Sequence, residues 1–254
     1  MNHTDRFHKY LLLPLTIILM FGVLGSDCKK NPAGPDTKPN TMKGNDGKVY
    51  QTVTIGNQVW MAENLRETKY RNRDAIPNVT DNSTWFDLRT GARCAYNNDA
   101  NNESDTYGYL YNWFAAVDAR NIAPEGWRVP SDEDWTALTN YLIANGYNWD
   151  GTTEGNKIGK AMASSGGEWQ SHGTAGNVGN DPASNNASGF SALPGGYRSS
   201  YGSFGGLGLS AVFWSATEYY TNSAWYRRLY YNTSYVGRNA NYKQYGFSVR
   251  LVRD

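Results

Sequence analysis

Gly126-Trp127-Arg128-Val129-Pro130-Ser131-Asp132-Glu133-Asp134-Trp135 is the stretch that most limits what this chain can fold into. Pro130 disfavours the helical region for the residue before it, so Trp127 to Val129 should be extended. Ser131 then reads as an N-cap, with Asp134 as a short version of the acidic partner in a capping box. Asp132, Glu133 and Asp134 put negative charge in the first turn, where the helix dipole favours it. Trp135, Leu138, Tyr141 and Leu142 follow at helical spacing, and Asn145-Gly146 supplies a stop. The reading is a strand end, a turn and a helix over 131–144. Two Trp bracket the start of that helix, which should therefore be docked into a core.

The N-terminus is a different kind of sequence. Arg6, His8 and Lys9 precede an almost wholly apolar run from Leu11 to Gly25. That run is short of the ~20 residues a membrane span needs and fits a secretory leader. Leu24-Gly25-Ser26-Asp27-Cys28 resembles a bacterial lipoprotein signal, with Asp27 standing where such signals carry a small residue. The expected layout is a signal peptide over 1–27, a polar Pro-rich tether over 28–45 and a domain over 46–254. Cys28 is the expected lipidation site. The protein is expected to be exported and held by its lipid at the bacterial membrane, at the outer membrane or cell surface. Cys28 and Cys94 are the only cysteines, so lipidation leaves Cys94 unpaired and reads it as a small buried residue.

A chain of 254 residues with 39% hydrophobic content can bury one sizeable core without a disulfide. Formal net charge is +1 and no basic patch stands out, which argues against nucleic acid as a partner. Val49 to Ile55 and Gln58 to Met61 flank Gly56-Asn57 and read as a hairpin. Leu110, Trp113, Phe114 and Val117 suggest a short amphipathic helix over 110–119. From Asn145 to Gly189 the chain is rich in Gly, Asn, Ser and Thr, with one short helix near 158–163. Trp149 and Trp169 within it suggest ordered loops. Strands are expected over 190–198, 212–217, 225–231 and 247–253. In the last, Phe247, Val249 and Leu251 share one face and Ser248 and Arg250 the other. The fold class is α+β, with short strands, two main helices and long ordered loops.

Taken in order, several of these segments resemble one family. They are Val49-Tyr50 with Thr52 to Leu65, Tyr107-Gly108-Tyr109-Leu110-Tyr111-Asn112-Trp113 and Gly126 to Ser131. Phe190 to Arg198, Phe213-Trp214-Ser215-Ala216-Thr217-Glu218 and Tyr245-Gly246-Phe247-Ser248-Val249-Arg250 complete the set. Jointly they look like the Fibrobacter succinogenes major paralogous domain of bacterial cell-surface lipoproteins. The resemblance implies a C-type lectin-like fold of the kind shared with formylglycine-generating enzymes. Fold analogy assigns no activity. Oxidase chemistry of that type uses a cysteine pair, and this chain offers only Cys94 after the lipidation site.

Beyond the leader, His172 is the one histidine, so a His-based zinc site has too few ligands. No P-loop, dinucleotide fingerprint or Gly-x-Ser-x-Gly turn is present. Calcium stays open because it takes oxygen ligands. Asp99, Asn101, Glu103 and Asp105 alternate through one loop as candidates, against the alternative of a solvated acidic turn. The other candidate surface is aromatic. Tyr219 and Tyr226 would stack on a ligand, with Arg198 and Glu218 as polar contacts, or else the sheet is aromatic on both packed faces. Two functions follow. One is a tethered binding or structural module contacting polysaccharide or another cell-surface component, such as a protein. The other is a hydrolase using carboxylates in or near the 145–189 loops, from Glu154, Glu168, Asp181 and Glu218.

Overall fold

The structure, a computed structural model, describes residues 40–99 and 103–254. In chain order its elements are β1 (Thr41–Lys43), β2 (Val49–Ile55), β3 (Gln58–Met61), α1 (Asn82–Asp87), β4 (Arg93–Cys94) and α2 (Glu103–Tyr107). There follow β5 (Leu110–Tyr111), α3 (Trp113–Ala116), β6 (Trp127–Arg128), α4 (Asp132–Ala144) and α5 (Gly159–Met162). The chain ends with β7 (Gly195–Arg198), β8 (Phe204–Leu207), β9 (Ser210–Tyr220), β10 (Ser223–Tyr230), β11 (Gly237–Tyr242) and β12 (Val252–Arg253). This is a mixed α+β architecture with more sheet than helix. Thr41–Lys43, assigned to the tether by composition, is instead an edge strand paired antiparallel with β2. Among the described residues no helix is long and apolar enough to cross a membrane.

The principal sheet runs β1-β2-β3-β12-β6, and a second runs β11-β10-β9. The stretch from Gly246 to Arg253 joins these sheets and the two short hairpins. Gly246 bridges to Arg198 and Phe247 to Tyr111, while Ser248 bridges to Phe213 on β9. Leu251 then accepts from the Met61 amide at 2.9 Å, and Val252 pairs with Trp60 and Arg128. A segment surrounded on every side has no solvent face. Ser248 and Arg250, on the other face of the strand, are as buried as Phe247, Val249 and Leu251. Arg250 donates to Asn64 Oδ1 at 2.8 Å and to the carbonyls of Met61, Phe190 and Ser191 at 2.9, 2.6 and 2.7 Å. Burial pushes its pKa down to about 9.

Helix α4 forms where the sequence places it. Ser131 Oγ accepts from the Asp134 amide at 3.2 Å, and the Asp134 carboxylate accepts from the Ser131 amide at 2.7 Å, closing the capping box. Trp135, Leu138 and Leu142 are buried on its inner face. Trp135 sits 4.8 Å from Trp60, 5.8 Å from Phe190 and 5.7 Å from Phe213, ring centre to ring centre. The expected helix over 110–119 is not there. Leu110–Tyr111 is a strand and α3 covers only Trp113–Ala116, leaving α4 as the one long helix described. Asn112 sets that break. Its Oδ1 accepts from the amides of Ala115 and Ala92, both at 3.0 Å, and its amide donates to Thr90 O at 2.8 Å.

The 145–189 loops are ordered by buried asparagines acting as internal splints. Asn148 donates to the carbonyls of Thr152, Glu154 and Gly155 and accepts from the Lys157 amide. Asn185 ties Ser164 to Val178. These loops pack beside the far end of β10, where Gly179 donates to Tyr231 O at 2.7 Å and Val178 to Thr233 O at 3.0 Å. Cys94 is buried beside Trp85 and Leu110, and burial pushes its thiol up to about 11.

Candidate ligand-binding groove

β10 alternates, so Trp225, Arg227 and Leu229 point one way and Tyr226, Arg228 and Tyr230 the other. The first set faces α4. Asp132 holds Arg227 Nη1 at 2.6 Å and Arg238 Nη2 at 2.8 Å. Arg238 in turn lies 3.5 Å above the Trp225 ring. Burial alone would raise the Asp132 pKa, but hydrogen bonds from Arg238 and Arg227 outweigh it and keep the carboxyl below its ordinary value.

The second set lines a groove. Register puts Tyr226 beside Trp214 on β9 and Asn239 on β11, and puts Arg228 beside Val212 and Gly237. Tyr197 and Tyr245 lean over this face with ring centres 6.3 Å apart, and Phe247 floors it 5.0 Å from Tyr226. A cavity of about 170 Å³ opens among Tyr197, Tyr226, Arg228, Asn241, Tyr245 and their neighbours. An adjoining one of about 110 Å³ is lined by Arg228, Tyr230, Thr233, Tyr235, Gly237 and Asn239. Burial raises the Tyr226 phenol above its ordinary pKa, so it stays protonated and can donate a hydrogen bond.

The structure separates the residues expected to work together. Arg198 is wholly interior. It donates to the carbonyls of Gly202, Val79 and Thr80 at 3.0, 2.6 and 2.8 Å and to Asn82 Oδ1 at 2.9 Å, 4.3 Å above Trp85. It braces three loop carbonyls and the first residue of α1, and does not reach a ligand surface. Glu218 is paired with Lys243, which is also held by Thr221 O. Tyr219 is 41% exposed and packs against Tyr220 and Trp225, on the face opposite Tyr226. Of the four, only Tyr226 lies in the groove. Tyr197, Arg228, Asn241 and Tyr245 were missed. The even spacing of Tyr226, Arg228 and Tyr230 was the available signal, but the covering residues come from distant segments.

Of the calcium candidates, Asn101 lies outside the described residues, Glu103 begins α2, and Asp99 and Asp105 are exposed. Among the described residues no three acidic, His or Cys groups gather to hold a metal. His172 Nδ1 faces Asn177 at 3.0 Å and the Thr174 amide at 3.2 Å within its own loop. A cavity of about 520 Å³ in the long-loop region is lined by Tyr147, Asn148, Trp149, Lys160 and neighbours, with no Asp or Glu among them. Cys28 lies outside the described residues.

The family model of the Fibrobacter succinogenes major domain matches residues 53–253. Comparison with curated proteins and with solved structures returns no match.

Proposed function

The chain belongs to the Fibrobacter succinogenes major domain family, and from that premise we propose that it is a surface-tethered module that binds polysaccharide in the groove over β9, β10 and β11. The carrying observation is the convergence of Tyr197, Tyr226 and Tyr245 on one cavity with Arg228 and Asn241 between them. Aromatic faces stack on the apolar faces of sugar rings, and amide and guanidinium groups take their oxygens. The leader over 1–27, lipidation at Cys28 and location at the outer membrane or cell surface belong to the same reading, supported by the apolar run and the polar stretch after it. A C-type lectin-like arrangement is supported by small sheets, long ordered loops and a terminal segment threaded between them. Calcium at Asp99, Asn101, Glu103 and Asp105 stays part of the reading only as a ligand outside the groove lining, which holds no carboxylate. The hydrolase reading gains nothing from the loop cavity, which also has none.

The test is binding of the full chain to a panel of plant and bacterial polysaccharides by calorimetry. Replacing Tyr226 or the 51%-exposed Tyr235 by Ala should weaken binding about tenfold, the loss of one stacked ring. Tyr235 supports little packing, so its replacement keeps the comparison clear of unfolding. No glycan binding, or binding indifferent to both substitutions, would overturn the proposal.

A further inference from the structure

We infer that the ligand of this groove is an acidic glycan, a polysaccharide bearing carboxylates such as uronic acids, and that Arg228 receives the carboxylate. The inference rests on the groove being the binding site. It starts from how the arginines around the late strands are spent. Arg227 and Arg238 share the Asp132 carboxylate. Arg198 and Arg250 are enclosed by carbonyls. The Arg228 guanidinium donates no hydrogen bond and has no ion-pair partner among the described residues. Its Nε is buried without any acceptor.

A buried donor left unmade costs folding free energy, and a charged one more. The position is nonetheless held open. Arg228 stacks 4.1 Å over Tyr230, which fixes the plane of its fork. It forms the wall common to both cavities, and no Asp or Glu lines either one. Gly237, its direct partner on β11, contributes no side chain and leaves that flank free. The two terminal nitrogens of its planar guanidinium match the two oxygens of a carboxylate.

The surroundings choose a sugar acid over an acidic peptide. Tyr226 and Tyr230, four residues apart on one face, are separated by about 13 Å. The groove therefore extends past a single sugar ring on either side of the cation. Tyr197 and Tyr245 flank one side and Tyr235 the other. Asn239 has no side-chain partner among the described residues and stands ready for hydroxyls.

The experiment uses the full chain with polygalacturonate, alginate and glucuronoxylan, each paired with the same polymer after its carboxyls are reduced to alcohols. At least one acidic form should bind about tenfold more tightly than its reduced partner. Arg228→Gln should erase that difference, and Arg228→Lys should keep only part of it. Gly237→Glu should also erase it, by placing a carboxylate beside an intact Arg228. A Cβ added at that glycine would come closest to Asn239 Nδ2, at 3.3 Å, the end of a flexible side chain. Equal binding of acidic and reduced polymers would overturn the charge inference while leaving the groove as a neutral-sugar site. An acid preference that survives both Arg228→Gln and Gly237→Glu would remove Arg228 from the site. Polyglutamate binding as tightly as the best uronate would replace the glycan with a peptide, and no binding to any polymer would overturn this inference and the groove together.

Discussion

Glu67 is a carboxylic acid lodged where solvent does not reach. Its Oε1 accepts from the Tyr50 hydroxyl at 2.7 Å and its Oε2 from the Asp46 amide at 2.8 Å. It lies so close to the backbone at Gly44 that a Cβ there would stand 1.9 Å from Oε1, which is why a glycine is needed. Burial is the dominant influence and raises its pKa from 4.5 to about 7 despite those donors. A carboxyl whose folded pKa is raised stabilises the fold while protonated. The contribution is full below pH 4.5 and is lost as pH rises through about 7. Its size is on the order of 3 kcal/mol. Asp132, whose pKa is lowered, acts with the opposite sign and only below its ordinary value of 3.8, so the two windows do not overlap. Urea denaturation should therefore show stability falling between pH 5 and pH 8, and Glu67→Gln should flatten that slope; an equally steep slope in the variant would remove Glu67 as its cause. Glu67 was not singled out in the sequence, because nothing local marks a carboxyl that distant Tyr50 and Tyr111 enclose. Arg198 and Arg250 show the same limit, since their acceptors are carbonyls from segments far along the chain.

At the scale of the element, α4 is the clearest case of local legibility. Its cap, its first-turn acids and its apolar face all follow from 131–144 alone, and the structure reproduces each. Ser131→Ala should cost about 1 kcal/mol through loss of the cap. Trp135→Ala should cost ~3–5 kcal/mol, because it empties a ring site packed by Trp60, Phe190 and Phe213. A smaller loss for Trp135→Ala than for the cap variant would contradict that packing. Asp132 carries a second role that spacing does not reveal. Beyond favouring the helix dipole, it clamps α4 to β10 and β11 through Arg227 and Arg238. Asp132→Asn should cost about 3 kcal/mol in chemical denaturation, since it removes the ion-pair partner of Arg227 and leaves that interior cation to neutral acceptors. A loss no larger than that of Ser131→Ala would reduce Asp132 to a dipole contact. The helix assigned to 110–119 failed for a related reason. Its stripe of apolar residues is real, but Leu110–Tyr111 is pulled into a ladder with β4 and Asn112 starts the helix afresh.

For the whole molecule, the proposed lipid anchor and the proposed groove make separate demands. Cys28→Ser should move the protein from the membrane fraction to the soluble fraction on cell fractionation, because ~0.8 kcal/mol per buried methylene is lost with the acyl chains. Retention in membranes would exclude a lipid anchor at that residue. The α+β class, the β2–β3 hairpin, α4 with its cap, and the family are legible in the chain alone, because these rest on short-range pattern and on motifs readable in order. So is Cys94 as a buried free thiol. Strand assembly alone makes Arg198 a brace, turns Tyr219 and Tyr226 opposite ways, and leaves Arg228 without an ion-pair partner among the described residues between two cavities. Those outcomes depend on which strands become neighbours and in what register. β10 is read between β9 and β11, and the 246–253 segment is read between two sheets. A one-residue difference in such pairing turns an interior side chain outward, so the face on which a side chain acts is a property of the assembled sheet.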